Sequence, residues 1–269
     1  MDLPPFLPIE EDTKDRNFVT ALARGLDMLR SFQCGDKELS NTDFAERTGL
    51  PKATVSRLTY TLVKLGYLVV DPRKGTYRLG AGVLELGFGV LSSMDIDERA
   101  DVELRALRDG PNSFITAAIG ERHALQSVYI AVQRSREEIA LSMRIGSRLP
   151  LFYSSVGRAI LAGSDEAERE HLLSQAKTAD PDGHEKRVAS TDRAVSEYEA
   201  VGYCTGYGDW RPDVNAVAVP VFSVEGPRIY GMNVGGPTFH VKKKQLEKIY
   251  APMLIEAAER LSIGHKPTG

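Results

Sequence analysis

Between Ser40 and Gly66 the chain has room for two short helices and a tight corner, and for little else. In LSNTDFAERTGLPKATVSRLTYTLVKLGYL, Ser40 followed three residues later by Asp43 makes a capping-box-like start. Gly49 suits the left-handed position that closes a helix, so the first helix ends near Thr48. Pro51 has no N–H to lose and suits the first turn of the next helix. That helix runs to about Leu65 and stops at Gly66. Upstream, Leu22, Leu26, Leu29 and Phe32 recur at spacings of three and four, an amphipathic helix between Phe18 and Phe32 that Gly35 and Asp36 break. Downstream, Leu68–Val70 and Thr76–Leu79 are β-type runs around the turn Asp71-Pro72-Arg73-Lys74-Gly75, a hairpin with a basic tip. Helix, helix, corner, helix and hairpin form the layout of a winged helix-turn-helix.

The helix after the corner has two faces. At 100° per residue Val55, Leu58, Leu62 and Leu65 gather on one side. Ala53, Ser56, Arg57, Tyr60 and Lys64 take the other. Lys52 and Thr54 sit near the N-terminus, where backbone N–H groups favour a phosphate. A solvated face on a structural helix has this pattern, and so does a helix lying in DNA. In a helix-turn-helix the second helix enters the major groove with its N-terminal half against base edges. Arg57 can then bond guanine bidentately, and Ser56 and Thr54 can reach a base or a phosphate. Lys64 and the hairpin residues Arg73 and Lys74 would touch phosphates only. Ser40, Ala53 and Tyr60 complete the candidate DNA-contacting set.

Charge separates the two DNA readings better than the helix does. The whole chain carries a net charge of −3. Residues 14–80, however, hold twelve Lys or Arg against seven Asp or Glu, while residues 81–269 hold twenty-two against twenty-six. A basic block followed by a mildly acidic remainder points to a polyanion partner for the N-terminal part. The acidic, proline-rich start MDLPPFLPIEEDTKDRN reads as a loose tail with no signal-peptide pattern. No apolar run reaches the ~20 residues that span a bilayer. Cys34 and Cys204 are far apart in sequence, which suggests two buried thiols in a reducing cytoplasm.

The remaining ~180 residues mix strands and helices, as one α+β domain does. VLELGFGVL and DERADVELRALRD read as helices. SFITAAIG, ALQSVYIAV and EIALSMRI read as strands, followed by helices near 154–162, 165–176 and 190–201. Strands return in NAVAVPVF and RIYGMNVGG, and a last helix covers about Val241 to Leu261. Signals for catalysis fail. His123, His171, His184, His240 and His265 are scattered with no metal-ligand spacing. GAGVLELG has Glu85 where a dinucleotide loop needs its third glycine. YSSVGRA lacks a nucleophile elbow. Lys242-Lys243-Lys244 opens a helix and reads as a solvated edge. No catalytic residue, metal or cofactor is expected.

With these residues in view, the chain resembles the IclR-type bacterial transcription regulators. TALARGLDMLRSF, LSNTDFAERTGLPKATVSRLTYTLVKLGYLVVD and YRLGAGVLELG are similar to the family's N-terminal domain. IGSRLPLFYSSVGRAILAG, VNAVAVPVF and GMNVGGP are similar to its C-terminal half, so the resemblance runs from about Phe18 to Ser262. It implies a tail over 1–17, a winged helix-turn-helix over 18–80, a linker helix over 81–95 and a GAF-like α+β effector-binding domain over 96–264. It also implies a homodimer or homotetramer on a roughly palindromic operator, and a small carboxylate or aromatic effector. Repression of a catabolic operon is the sign that many relatives suggest.

Effectors of the family bind between the helix start near Ser154 and the late strands. Carried over, the backbone donors are Ser155 and Val156, and the acidic position is Asp209, with Trp210 beside it. Ala216 stands where a cysteine is frequent, and Asn233 and Gly235 where serines occur, so the polar inventory departs from the family pattern. Asn233 is the side chain expected to meet a ligand, unless it and Ser155 only satisfy local backbone. Tyr153 and Trp210 form an aromatic wall or plain core. The competing function is a small-molecule binding protein or enzyme whose N-terminal helices serve only for oligomerisation.

Overall fold

The structure is a computed structural model that describes residues 16–33, 35–92, 97–138, 141, 143–223 and 226–262. Cys34, His265, most of the expected tail and residues 93–95 of the expected linker helix lie outside the described residues. The chain divides into two compact units, Asp2–Ser93 and Met94–Gly269.

In the first unit the order is α1 (Thr20–Arg30), β1 (Leu39–Ser40), α2 (Asn41–Thr48), α3 (Lys52–Lys64), β2 (Leu68–Asp71), β3 (Thr76–Leu79) and α4 (Ala81–Ser92). The three strands pair antiparallel in the order β1-β3-β2. Around Phe44 a core gathers Met28, Leu39, Val55, Leu62 and Leu68. Phe32 meets the Phe44 ring edge-on at 5.6 Å, and Tyr77 closes on its other side at 6.0 Å. The capping box at Ser40 forms, with Asp43 N–H donating to Ser40 Oγ and Ser40 N–H to Asp43 Oδ2. Gly49 takes φ 69° and closes α2. Arg47 clamps the corner: it pairs with Asp36 and donates to the Ser31 carbonyl at 2.8 Å.

Three expectations shift here. Pro51 is the N-cap of α3 and not its first helical residue. Leu65 is the C-cap and 62 % exposed, while Thr59 takes its place inside, bonded to the Ser56 carbonyl. On α1 the buried residues are Ala23, Asp27 and Met28, whereas Leu22 and Leu26 face outward. Leu29 and Phe32 of the expected stripe do pack on the Phe44 core, beside Met28. β1 was not foreseen, because two residues give no periodic signal.

The second unit runs α5 (Asp97–Arg108), β4 (Thr116–His123), β5 (Gln126–Gln133), β6 (Arg148–Pro150), α6 (Ser155–Gly163), α7 (Glu166–Ala179), α8 (His184–Val201), β7 (Cys204–Tyr207), β8 (Val214–Phe222) and β9 (Ile229–Pro237). It ends in a short α9 (Lys243–Gln245), a π-turn over Leu246–Tyr250 and α10 (Ala251–Leu261). Six strands form one antiparallel sheet in the order β6-β5-β4-β9-β8-β7. The expected strand over EIALSMRI is absent from its described residues, and the edge strand is Arg148–Pro150 instead. α8 begins at His184, before the expected 190, and β7 was missed.

The sheet has a small-residue face and a large-residue face, because side chains alternate along a strand. On β8, Ala216, Ala218 and Pro220 alternate with Val217, Val219 and Val221; on β9, Gly231, Asn233 and Gly235 alternate with Met232 and Val234. α6 lies on the small face. A Cβ at Gly231 would stand 2.4 Å from the Val156 carbonyl oxygen, and one at Gly206 3.0 Å from Ser155 Cβ. Within the turn that starts α6, a Cβ at Gly157 would stand 2.1 Å from the Leu151 carbonyl oxygen. Backbone cannot yield there cheaply. We expect Gly157→Ala to destabilise the protein by about 3 kcal/mol through overpacking, read as a lower urea midpoint at unchanged slope. Gly89→Ala, inside α4 with open space for a Cβ, should instead stabilise by about 0.5–1 kcal/mol and raise the midpoint slightly.

Candidate functional site

On α3, the residues expected at DNA share one accessible side. Lys52, Ala53, Ser56, Arg57, Tyr60 and Lys64 are exposed, and Thr54 is half-buried. Val55, Thr59 and Leu62 hold the opposite side in the core. The Lys64 ammonium stands 5.6 Å from the Tyr60 ring centre, so the two act as one cationic, aromatic step on the surface. Pro51 gives the helix no side-chain cap, which leaves its first N–H groups to an external acceptor.

The hairpin tip is built by Asp71, whose Oδ1 accepts from the backbone of Arg73 and Lys74 at 2.9 and 3.3 Å. Gly75 at φ 68° completes the turn. Arg73 projects freely into solvent in this sense: it is exposed, and only its backbone N–H is engaged by Asp71. Lys74 is different. Its ammonium sits 3.1 Å from both Glu38 carboxylate oxygens, and Thr76 and Lys74 hold that carboxyl below its usual range. Ser40 spends its hydroxyl in the α2 cap, donating to Asp43 at 2.7 Å.

In the second unit a cleft opens between the start of α6 and the sheet. It has about 460 Å³ of empty space, its open mouth included. Asn233 and Gly235 of β9, Ala216 of β8, Gly206 of β7 and Thr116 of β4 make its floor. Tyr153, Ser154 and Ser155 form one wall, and Trp210 with Arg211 another. Tyr129, Met143 and Leu149 supply apolar surface, with Leu141. Ser154 caps α6 by accepting from Gly157 N–H at 3.2 Å, and donates its own proton to the Pro150 carbonyl. The Ser155 and Val156 N–H groups then remain as the helix's outward donors.

Six of the eight expected pocket residues line this cleft: Tyr153, Ser155, Trp210, Ala216, Asn233 and Gly235. Val156 does not. Its side chain is fully buried against Ala118, Tyr129 and Leu149, so only its backbone can serve a ligand. Asp209 is outside the lining too. Its oxygens are engaged: Oδ2 by Arg158 at 2.9 Å and by Tyr207 N–H at 3.0 Å, Oδ1 by Arg193 at 3.2 Å. Burial pushes its carboxyl up, but the two guanidiniums outweigh burial and hold it below the usual range. Arg158, 3 % exposed, also bonds the Thr205 carbonyl and Ser190 Oγ. Asp209 therefore braces the turn that carries Trp210 and Arg211.

Tyr129 and Arg211 are pocket residues that the sequence reading missed. Tyr129 sits in an apolar strand run and reads as core, while Arg211 had a signal in its place beside Trp210. Arg211 is paired with Asp213 at 2.6 Å and stands 5.7 Å from the Trp210 ring. Cys204, as expected, is buried; burial pushes its thiol up to about 12, so it is no nucleophile. Among the described residues no group of three His, Cys, Asp or Glu could hold a metal ion. No described helix is long and apolar enough to cross a membrane.

Comparison with known proteins decides what these two sites belong to. The profile of the IclR helix-turn-helix domain matches residues 21–72, and that of the bacterial transcriptional regulator IclR C-terminal region matches residues 88–263. The chain belongs to the IclR family of bacterial transcriptional regulators. An IclR family transcriptional regulator from Brucella abortus of known structure is 40 % identical, with a TM-score of 0.84 over 96 % of this chain and 98 % of that one. The HTH-type transcriptional regulator TsaQ1/TsaQ2 of Comamonas testosteroni is 33 % identical, over 88 % of this chain and 84 % of its own length. The Pca regulon regulatory protein of Pseudomonas putida is 30 % identical, over 96 % and 88 %. The winged helix-turn-helix joined to an α+β effector-binding domain is thus the IclR fold. This IclR-family chain is a ligand-responsive, DNA-binding transcriptional regulator and not an enzyme.

The Asp209 brace gives a pH-dependent prediction. A carboxyl depressed in the folded state stabilises above its unfolded pKa of about 3.9 and loses that stabilisation as pH falls through its lower folded value. Asp209→Asn leaves Arg158 buried with a weaker partner and should cost about 3 kcal/mol at neutral pH. In urea melts the gap between variant and parent should be constant above about pH 5 and close below about pH 4.

Proposed function

We propose that this regulator represses a catabolic operon and that a small carboxylate or aromatic metabolite modulates its hold on a roughly palindromic operator. The observation that carries the DNA half is the exposed row Lys52, Ser56, Arg57, Tyr60 and Lys64 on a helix whose other side is core. The ten candidate contacts are Ser40, Lys52, Ala53, Thr54, Ser56, Arg57, Tyr60, Lys64, Arg73 and Lys74. Arg57 reads a base, and Lys52, Lys64 and Arg73 hold phosphates. Lys74 reaches a phosphate only by leaving Glu38, and Ser40 contributes through the α2 cap that sets the corner.

A cleft whose wall is a helix N-terminus carries the effector half. Tyr153, Ser155, the Val156 N–H, Trp210, Ala216, Asn233 and Gly235 form the effector site. Residues 18–80 serve as the DNA-binding domain, 81–95 as the linker helix and 96–264 as the effector domain. The protein works in the cytoplasm as a homodimer or homotetramer. The outward stripe of Val19, Leu22 and Leu26 on α1 supports a second copy as partner, since adjoining apolar side chains seldom stay in water. The effector changes regulation by binding one DNA-competent arrangement better than another.

Selection of bound fragments from random DNA at physiological salt tests the reading, and a palindromic consensus is expected. On that site Arg57→Ala should lose about 1–3 kcal/mol of specific binding with an unchanged melting temperature. Lys64→Ala should weaken all sequences alike and lower the salt slope by about 1. Failure to enrich any sequence with folded protein overturns the DNA reading. A reporter that falls when the protein is removed overturns repression.

A further inference from the structure

We propose that Glu38 is an internal stand-in for a DNA phosphate: it holds the Lys74 ammonium at the hairpin tip and keeps that lysine out of the set of phosphate contacts. The inference rests on the DNA-binding reading of α3 and the hairpin, and says how much of the hairpin's charge that reading can use.

Backbone pairing builds the arrangement. β1 is two residues long and sets Leu39 opposite Tyr77 and Ser40 opposite Thr76 of β3. Glu38, the residue before β1, is thereby carried to the turn between β2 and β3. Thr76 Oγ1 donates to Glu38 Oε2 at 2.8 Å, and the Lys74 ammonium stands 3.1 Å from each carboxylate oxygen. The Thr76 bond fixes the carboxylate in place, so Lys74 meets a positioned acceptor and not a freely moving chain. Like a phosphate, that acceptor offers paired anionic oxygens to a cation. Asp71 is a poorer partner for the lysine. Its Oδ1 is spent on the backbone N–H groups of Arg73 and Lys74, and its Oδ2 lies 3.9 Å from the Lys74 nitrogen.

The pair changes what the hairpin offers to DNA. The Lys74 side chain is 61 % exposed, so a phosphate can approach it and must compete with Glu38. An exposed ion pair is weak and screened by salt, so Lys74 is not locked. The exchange gains little, however: one anionic partner replaces another, and the Glu38 charge is left facing a polyanion. While paired, the two side chains carry no net charge, and a neutral pair releases no counterion from DNA. The hairpin then meets the backbone through Arg73, exposed at the same tip. Phosphate contacts carry no sequence information. Glu38 therefore lowers the affinity for all DNA alike and leaves base readout to α3.

Fluorescence anisotropy of the full chain, on a short random-sequence duplex and on the site selected from random DNA, tests this between about 50 and 200 mM salt. Glu38→Gln removes the charge and keeps an acceptor for Thr76, so the melting temperature should stay in place. It should tighten binding to both DNAs by about 3–10-fold at the low-salt end and steepen the salt slope by about 0.9, the share of one phosphate. Glu38→Gln combined with Lys74→Met should return the slope to that of the parent, because the paired charges release nothing. A slope unmoved by Glu38→Gln overturns the inference. So does an equal steepening when Lys74 is already Met, which would make Glu38 a general repulsive charge. A parent slope steeper than that of the doubly substituted chain by about 0.9 overturns it too, since Lys74 would already lie on a phosphate. Any of these results, with Arg57-dependent binding intact, leaves the DNA reading standing. A folded parent that binds neither DNA overturns both.

Discussion

The effector unit depends on how closely the first turn of α6 presses on the sheet. Gly206 and Gly231 on the sheet, and Gly157 in the helix itself, each lie where a Cβ would strike backbone or the base of a side chain. That contact aims the helix N-terminus at the floor of Ala216, Asn233 and Gly235 and holds it there. A helix end is a useful anion site only if its donors keep their place as the ligand arrives, since preorganised dipoles need no reorientation. Close packing supplies the rigidity. The same small residues leave the hollow beside the helix, so one pattern, small against large along β8 and β9, produces both the tight contact and the cleft.

Around that contact the polar groups divide by accessibility. Arg158 is nearly lost from solvent and yet fully engaged, by Ser190, Thr205 and Asp209. Because Asp209 also bonds Tyr207 N–H and Arg193, the turn with Trp210 and Arg211 is tied both to α6 and to α8. One wall of the cleft and its facing wall are therefore fixed to the same guanidinium. Removing either partner exposes a buried charge to a site that cannot solvate it, which makes the brace expensive to break. Asn233 is the exception in this neighbourhood, polar and buried with no hydrogen-bond partner for its Oδ1.

Much of this was legible in the sequence for identifiable reasons. Cap, glycine and proline positions defined α2 and α3 because their chemistry is local. The strands of alternating Ala and Val were legible because alternation is a period-2 signal. α1 was half legible: Leu29 and Phe32 pack on the core, while Ala23 and Met28 are buried where Leu22 and Leu26 are exposed. The start of α8 was hidden because Gly183 offers no cap, and buried Arg187, paired with Asp180, does the fixing through tertiary contact. β7 holds four residues between Gly202 and Gly208, too short for any pattern. In the pocket, residues tied to the α6 start and to β8 and β9 were found, whereas Tyr129 was hidden within an apolar run. The bracing contacts of Asp209 were hidden, because its partners are brought in from α6 and α8 by folding alone.

The two units use the same device, the donor-rich start of a helix, and their caps show how it is assigned. α2 carries a full capping box, in which Ser40 Oγ accepts from Asp43 N–H and the Asp43 carboxylate accepts from Ser40 N–H, and it serves as support. α3 begins at Pro51, which caps nothing with its side chain, and its first turn stands in solvent beside Lys52. α6 is capped in the same way, by Ser154 at the Gly157 N–H, and Ser155 in its first turn lines a walled cleft. An open, uncapped and cationic helix start suits a phosphate on a long polyanion, for which affinity rises with every added contact and falls with salt. An enclosed start suits a single small anion, for which the walls supply selectivity and the low dielectric strengthens each bond. Exposure of the first turn, more than the helix itself, thus separates the half that meets DNA from the half that meets a metabolite.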